Sequence, residues 1–285
     1  MTIAVMSYQA PDLARDAARN FLNLEPVINN LIITLLEARI DRPEPGRYWI
    51  ARQNGEVVGM GLQSPLNYPL NLTAMVPDVA AVLADAIGAE GYDLAAAAGE
   101  ARIVARFAGH WAERCKIGTH PVEGERIYEA RTISSGAEPP GRMEQARESD
   151  LTLLCEWMVA FLTEIGDPAD EVAAYVARRI AAGEIWVWND GEVRCMSAAT
   201  APAIGVSRVQ YVYTPPSNRR RGYAEALVRN LTGHLRRGGL RPILFTQLGN
   251  PSSNAIYRRI GYQAVAELIR YRFDNSGGSR RDPTD

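Results

Sequence analysis

The sequence predicts an α/β fold in which helices pack on a mixed sheet, repeated in two domains. Strand-like runs alternate with amphipathic helical runs along the chain, a pattern typical of strand–helix units. A segment rich in Pro, Gly and Ser, residues 134–141, interrupts this pattern and has the composition of a linker. Similar strand–turn–strand stretches occur on both sides of it, from Trp49 to Met60 and from Trp186 to Met196. We interpret the halves as a duplication; the alternative, that any two hairpins look this similar, stays open.

The first predicted domain spans residues 1–133. Its hydrophobic periodicity predicts helices over 10–23, 25–40, 79–87 and 101–115, and strands over 47–52, 57–62 and 126–133. Asn54-Gly55 lies between the first two strands and is the typical residue pair of a two-residue hairpin turn. This half therefore predicts a mixed α/β unit.

The second predicted domain spans residues 142–273, after the linker at 134–141. We expect strands over 142–146, 184–188, 193–199, 209–214, 242–248 and 264–273, and helices over 149–164, 168–182, 222–231 and 250–260. The remaining segment, 274–285, is polar, charged and rich in glycine, so we expect a disordered tail.

Composition excludes several classes of function. The net charge of −2 over 285 residues argues against nucleic acid as the main partner, because a basic surface would be expected. No apolar run is long enough to span a bilayer, and the N-terminus has no signal-peptide pattern, so we predict no membrane partner. Cys115, Cys155 and Cys195 are odd in number and far apart, which suits a reducing cytoplasm. No Cys or His cluster has the spacing of metal ligands, so no metal site is predicted.

A candidate anion site lies where the strand beginning at Val209 gives way to a helix. Pro215 and Pro216 end the strand, and the basic turn Arg219-Arg220-Arg221 precedes Gly222 and a helical run. Unpaired amides and the dipole of a helix N-terminus attract anions, and a glycine lets the backbone approach a phosphate closely. The turn thus predicts a site for a polyanion such as a diphosphate, although a solvated basic turn remains an alternative reading.

A second motif follows the strand predicted at 242–248. Asn250 can cap a helix there, and Gly261 can end it in the left-handed conformation. Ser253 and Tyr257 are four residues apart and share one face of that helix. The motif places a tyrosine on a helix close in sequence to the anion site.

Together, these residues resemble the GNAT superfamily of acyl-CoA-dependent N-acyltransferases. Arg219-x-x-Gly222-x-Ala224 is similar to its phosphate-loop motif, and Asn250, Tyr257, Gly261 and Tyr262 are similar to a later motif of the family. The resemblance implies two GNAT-like domains in tandem with acetyl-CoA as co-substrate. Only the second copy carries the loop, because the matching stretch of the first has no Arg or Gly cluster; we expect the first half not to bind the cofactor in this way.

The resemblance also implies roles for individual residues. Backbone groups of three strand residues would hold the pantetheine arm and the thioester, the loop would hold the phosphates, and polar residues of the later helix would line the other side. The strand residues are Val212, Tyr213 and Thr214. The loop residues are Arg219, Arg220, Arg221, Gly222, Tyr223 and Ala224. The helix residues are Asn250, Ser253 and Asn254. Tyr257 matches the general acid that protonates the leaving thiolate, and also lies among the cofactor-binding residues; simple packing against the cofactor is the alternative.

The implied reaction is N-acetylation of a small amine or amino acid, in a monomer or homodimer. Members of the family often place a glutamate on the loop's own strand, but this strand offers Arg208 and Gln210 instead. Glu184 could act through water, so the general base stays unassigned. The aromatic residues of the second half hint at a partly apolar acceptor but suit a core equally well. A non-catalytic acyl-CoA-binding or sensing module is the second hypothesis.

Overall fold

A computed structural model describes residues 2–274 of the chain. These residues form two compact units that are discontinuous in sequence. Unit 1 comprises residues 2–126, 247–249 and 266–274, and unit 2 comprises residues 127–246 and 250–265. The continuous limits drawn from the sequence, 1–133 and 142–273, stay a prediction. Among the described residues, no helix combines the length and the apolar character that a membrane crossing requires.

Unit 1 alternates strands and helices. Its elements are β1 (Ile3–Tyr8), α1 (Pro11–Leu24), α2 (Asn30–Asp41), β2 (Arg47–Gln53), β3 (Glu56–Gln63), β4 (Leu70–Leu72), α3 (Pro77–Ala89), β5 (Ala96–Glu100) and α4 (Ala101–Cys115). The first part of β6 (Thr119–Ala130) and the last part of β12 (Tyr262–Phe273) complete it. The strand order is β1-β2-β3-β4-β5-β12-β6, with β4 and β5 parallel. Helices α3 and α4 bury Leu83, Phe107 and Trp111 against this sheet.

Unit 2 contains the other elements. They are β7 (Arg142–Gln145), α5 (Leu151–Ile165), α6 (Val172–Ala181), β8 (Ile185–Asn189), β9 (Val193–Ala199), β10 (Val206–Tyr213), α7 (Tyr223–Arg237), β11 (Arg241–Gln247) and α8 (Pro251–Ile260). Its strand order is β7-β8-β9-β10-β11-β6-β12. The first five strands of each unit therefore follow one another in chain order, which confirms the predicted tandem α/β fold with mixed sheets.

Helices cover both faces of the unit 2 sheet. Val187 and Met196 pack in one hydrophobic cluster with residues of α5 and α6, whereas their neighbours Trp188 and Cys195 pack with α7. Successive side chains of a strand point to opposite faces, so α5 and α6 lie on one face and α7 on the other. Residues of α8 share a cluster with α7, which places both helices on the same face.

Several boundaries differ from the prediction. Helix α2 begins at Asn30 rather than at residue 25, because Glu25 precedes Pro26 and adopts an extended φ of −131°. Helix α6 begins at Val172 rather than at residue 168, directly after Glu171, whose φ of 52° is left-handed. Strands β1, β4 and β5 were not predicted. The alanine-rich β5 has weak strand propensity and forms through its antiparallel pairing with residues 268–272.

The predicted disordered tail falls almost wholly outside the described residues. Only Asp274 of the segment 274–285 is described, and its amide donates to the carbonyl of Gly118 at 3.0 Å. Residues 275–285 lie outside the described part of the chain.

Candidate functional site

Strands β10 and β11 begin as a parallel pair and then part. Their paired residues run from Val206 with Arg241 to Val209 with Leu244, and the described ladder ends there. Beyond Val209, strand β10 continues beside β9 only. On the side that faces β11, the carboxyl-terminal half of β10 is therefore an unpaired strand edge. An extended ligand can pair with this edge.

A β-bulge at Tyr211 lies beside this opening. Tyr211 has a left-handed φ of 53°, and the register with β9 shifts between Gln210 and Tyr213. In the described ladders, Tyr211 and Val212 have no paired residue on either side. A bulge leaves its extra residue unpaired and redirects the side chain. Backbone groups at this point are therefore left unpaired by the described ladders, and the cofactor-binding role of Val212 stays a prediction.

The bulge also breaks the predicted alternation of β10. The sequence predicts Val209, Tyr211 and Tyr213 on one face, but Val209 packs with α7 and α8, whereas Tyr211 and Tyr213 pack with α5 and α6. The left-handed backbone at Tyr211 interrupts the alternation of side chains between the two faces of the sheet. The consecutive residues Gln210 and Tyr211 therefore both point to the face covered by α5 and α6. Tyr213 still pairs with Met196 of β9.

The loop after β10 adopts the tight conformation that its sequence suggests. Residues 214–222 join β10 to α7, and Gly222 is the N-cap of α7 with a φ of 85°. Arg220 is also left-handed, with a φ of 62°. The buried Asn218 donates to the carbonyl of Arg194 at 3.3 Å, which fixes the loop to β9. No side chain caps α7, so the amides of its first turn are available to an anion.

The three arginines of the loop differ in their contacts. Arg219 donates from Nε to the carbonyl of Thr214 at 2.8 Å and from Nη2 to Oε1 of Glu164 at 2.5 Å. Arg220 and Arg221 are exposed and make no ion pair within the described residues. The charge of Arg219 is therefore already compensated, and the uncompensated charge of the loop belongs to Arg220 and Arg221.

Tyr223 and Ala224 form the first turn of α7. The side chain of Tyr223 points into the unit, where its hydroxyl donates to Oδ2 of Asp190 at 2.9 Å. Its ring packs with Trp188 and Leu227. The side chain of Tyr223 thus anchors the helix, and only its backbone remains for a phosphate contact. Ala224 is half-buried and adds little bulk to this turn.

Helix α8 brings the later motif to the edge of the same opening. Oδ1 of Asn250 accepts the amide of Ser253 at 3.0 Å, which confirms the predicted cap. The buried Asn254 donates to the carbonyl of Asn250 at 2.6 Å and accepts from the hydroxyl of Tyr128 at 2.9 Å. Asn254 therefore stabilises the start of α8, with help from Tyr128, which sequence analysis did not select.

Tyr257 packs where β10 and β11 part. It lies in one hydrophobic cluster with Val209, Leu244 and the half-buried Val212, and only 8% of its surface is exposed. Its ring meets the ring of Tyr262 edge-on, with centroids 6.0 Å apart. Burial raises the pKa of Tyr257 to about 12, against a smaller opposing effect of Ser253. Its hydroxyl therefore stays protonated at neutral pH and can donate a hydrogen bond.

The carboxylate considered as a base is already engaged. Oε2 of Glu184 lies 3.0 Å from Nε of Arg179, and the Glu184 side chain is 25% exposed. Arg179 is buried, and its Nη2 donates to the carbonyl of Ala199 at 2.9 Å. Glu184 thus serves as the counter-ion of a buried guanidinium, which does not fit a free general base.

Comparisons with known proteins agree with this geometry. Residues 197–271, which include β10, the loop, α7 and α8, match the family model described as FR47-like protein. The fold resembles a GNAT-family acetyltransferase from Colwellia psychrerythraea (TM-score 0.64, 13% identity, 96% of this chain and 100% of that chain covered). The described chain therefore has the fold of solved GNAT acetyltransferase structures.

Other solved structures share the fold along most of this chain. A GCN5-related N-acetyltransferase from Sphaerobacter thermophilus matches with a TM-score of 0.63 and 14% identity, covering 94% of this chain and 95% of that chain. A tandem GNAT protein from the clavulanic acid biosynthesis pathway matches with a TM-score of 0.55 and 11% identity, covering 98% of this chain and 100% of that chain. A search of curated protein sequences finds no match.

The two copies of the GNAT fold differ at the loop. In unit 1 only residues 73–76 separate β4 from α3, whereas residues 214–222 separate β10 from α7 in unit 2. The shorter connection, Thr73-Ala74-Met75-Val76, contains neither arginine nor glycine. Its Thr73 is buried and bonded to the backbone of Met60. This connection has no counterpart of the basic, glycine-containing loop of unit 2.

Proposed function

We propose that this protein is an N-acetyltransferase that transfers the acetyl group of acetyl-CoA to the amine of a small molecule or an amino acid. One observation carries the proposal: β10 and β11 part beside a basic helix N-terminus and a buried tyrosine. The fold itself supports acyl transfer in general, because solved structures that share it are described as acetyltransferases. No metal is part of the proposal.

In the proposed complex, the diphosphate of acetyl-CoA binds the loop Arg219 to Ala224. The first-turn amides of α7 donate to it, and Arg220 and Arg221 supply charge. The pantetheine arm extends along Val212, Tyr213 and Thr214, opposite Asn250, Ser253 and Asn254. An extended arm can pair with the strand edge that β11 leaves uncovered.

The proposed reaction is direct attack by the amine. Its nitrogen attacks the thioester carbonyl carbon, a C–N bond forms, and the C–S bond breaks to release the thiolate. A backbone N–H at the bulge of Tyr211 and Val212 can donate to the oxygen that becomes negative. The proton lost by the amine passes to solvent, since Glu184 is bound to Arg179.

Tyr257 acts on the leaving sulfur. With a pKa of about 12 against about 8.5 for a thiol, complete proton transfer is uphill by about 5 kcal/mol. Tyr257 therefore stabilises the thiolate as a hydrogen-bond donor, and solvent can supply the final proton. This role is weaker than that of a general acid but uses the same atom.

The experiment that tests the proposal is an amine screen with acetyl-CoA. Thiol release is followed for a panel of amino acids and simple amines, and acetylated product is confirmed by mass. We expect turnover with at least one acceptor. Binding of acetyl-CoA without transfer to any acceptor would contradict catalysis and favour the second hypothesis, a non-catalytic acyl-CoA-binding or sensing module, which the engagement of Glu184 also favours.

A further inference from the structure

Three side chains form a directed hydrogen-bond chain next to the bulge. Nη1 of Arg179 donates to the hydroxyl of Tyr175 at 2.7 Å, and that hydroxyl donates to the hydroxyl of Tyr211 at 3.0 Å. A guanidinium can only donate, so the oxygen of Tyr175 must accept from Arg179. The proton of Tyr175 then points to Tyr211. The proton of Tyr211 is therefore left to donate to a further group.

The ring of Tyr211 is held in place by its neighbours. Phe161 of α5 meets it edge-on with centroids 5.7 Å apart, and Tyr175 of α6 does so at 5.9 Å. The left-handed backbone at Tyr211 sets the direction of its side chain toward these helices. Edge-on aromatic pairs of this kind stabilise the packed position of the ring. The hydroxyl oxygen of Tyr211 is thus held in position by Phe161 and Tyr175.

Two guanidinium groups, those of Arg179 and Arg208, act on this hydroxyl and would attract a negatively charged oxygen of a ligand. Burial raises the pKa of Tyr211 above its ordinary value, and the guanidinium groups of Arg179 and Arg208 oppose that shift. The hydroxyl therefore stays protonated while it lies in the field of two cations. Glu184 pairs with Arg179 on the Nε side, away from the Nη1 that faces Tyr175.

We propose that Tyr211 recognises the carboxylate of the acceptor, so that the enzyme prefers α-amino acids over amines that lack this group. The inference rests on the proposed function, because it concerns the acceptor of that reaction. Tyr211 lies at the bulge where the thioester carbonyl is expected, so a carboxylate bound to its hydroxyl leaves the adjacent amine close to the carbonyl. The aromatic rings of Phe161 and Tyr175 would contact the side chain of the amino acid.

The test compares paired acceptors. L-phenylalanine, L-tyrosine and L-tryptophan are assayed against phenethylamine, tyramine and tryptamine, which lack only the carboxylate. We expect wild-type kcat/KM to be higher for the amino acid in at least one pair. Tyr211→Phe should lower kcat/KM for the amino acid about 10- to 100-fold, as for loss of a hydrogen bond to a charged group, and change that of its amine by less than about twofold.

Two controls keep the outcomes distinct. Tyr68→Phe removes an exposed hydroxyl in unit 1 and should leave kcat/KM unchanged for both acceptors of a pair. The Kd of acetyl-CoA should be the same for Tyr211→Phe and wild type, which shows that the variant is folded. Turnover without preference for the carboxylate, or equal losses for both acceptors in Tyr211→Phe, would overturn this inference and leave the acetyltransferase proposal standing. Absence of turnover with every amine would instead overturn the acetyltransferase proposal.

Discussion

Glu164 at the end of α5 and Arg219 in the loop form an ion pair, with Oε1 and Nη2 2.5 Å apart. Both side chains are about half exposed, at 50% and 43%. The pair joins the proposed phosphate site to the helix that packs against Tyr211 and Tyr213. In the proposed complex, Glu164 would therefore compete with the diphosphate for the guanidinium of Arg219.

Removing the charge of Glu164 should strengthen cofactor binding. We expect Glu164→Gln to lower the Kd of acetyl-CoA about two- to fivefold, the effect of one partly exposed charge. The difference should shrink at high salt because exposed charges are screened. Calorimetric titration of both proteins with acetyl-CoA measures this difference in Kd. Glu156→Gln removes the same charge from an exposed position of α5 and should leave the Kd unchanged; an equal shift would show that the ion pair is irrelevant.

Replacing the glycine at the N-cap of α7 should harm stability and binding together. Gly222→Ala places a side chain at a φ of 85°, where the nearest neighbour of the new Cβ, Pro139 Cδ, is an ordinary 3.9 Å away. The cost is therefore backbone strain of about 1–2 kcal/mol in the free energy of unfolding, measured with urea.

Gly205→Ala is the matched control for this strain. Gly205 has a φ of 71° with open space around it, and it precedes β10 at the end opposite the opening. We expect a similar loss of stability with no change in the Kd of acetyl-CoA. If both variants weaken binding equally, the conformation of Gly222 has no specific role in the site.

The pKa of Tyr257 predicts the pH dependence of catalysis. The tyrosine should act only when protonated, and its pKa of about 12 keeps it protonated through pH 10. We expect kcat/KM to rise with pH as the amine loses its proton, without a decline caused by tyrosine ionisation. Tyr257→Phe should lower kcat about 10- to 100-fold while leaving this profile unchanged. A decline near pH 9 that disappears in Tyr257→Phe would contradict the assigned protonation state.

Part of the local structure around the candidate site could be predicted because it depends on local signals. Asn250 and Gly261 adopt the capping roles expected from residue type, since a cap depends on a few neighbouring backbone groups. The hairpin turn at Asn54-Gly55 was predicted for the same reason, and both residues have positive φ. The GNAT-like fold was predicted from two such local motifs, and its repetition from the similar strand–turn–strand stretches on both sides of the linker; the tandem GNAT-like fold is confirmed.

The rest depends on contacts between residues far apart in sequence. Glu164 precedes its partner Arg219 by 55 positions, and Tyr128 precedes Asn254 by 126. Contacts over such separations produce no periodicity in the sequence, so neither could be predicted from it. The bulge at Tyr211 is hidden because Val-Gln-Tyr-Val-Tyr reads as a regular strand. An alternation of apolar and polar residues cannot reveal one left-handed residue whose side chain suits either face.

The most direct test of the central claim is whether the loop binds the diphosphate of coenzyme A. Calorimetry should compare coenzyme A with pantetheine, which has the thiol arm but no diphosphate, on wild type and on the variant Arg220→Gln/Arg221→Gln. We predict that wild type binds coenzyme A at least about tenfold more tightly than pantetheine, and that the variant loses most of this difference. Equal affinity of wild type for both ligands, or no heat with coenzyme A, would contradict the account.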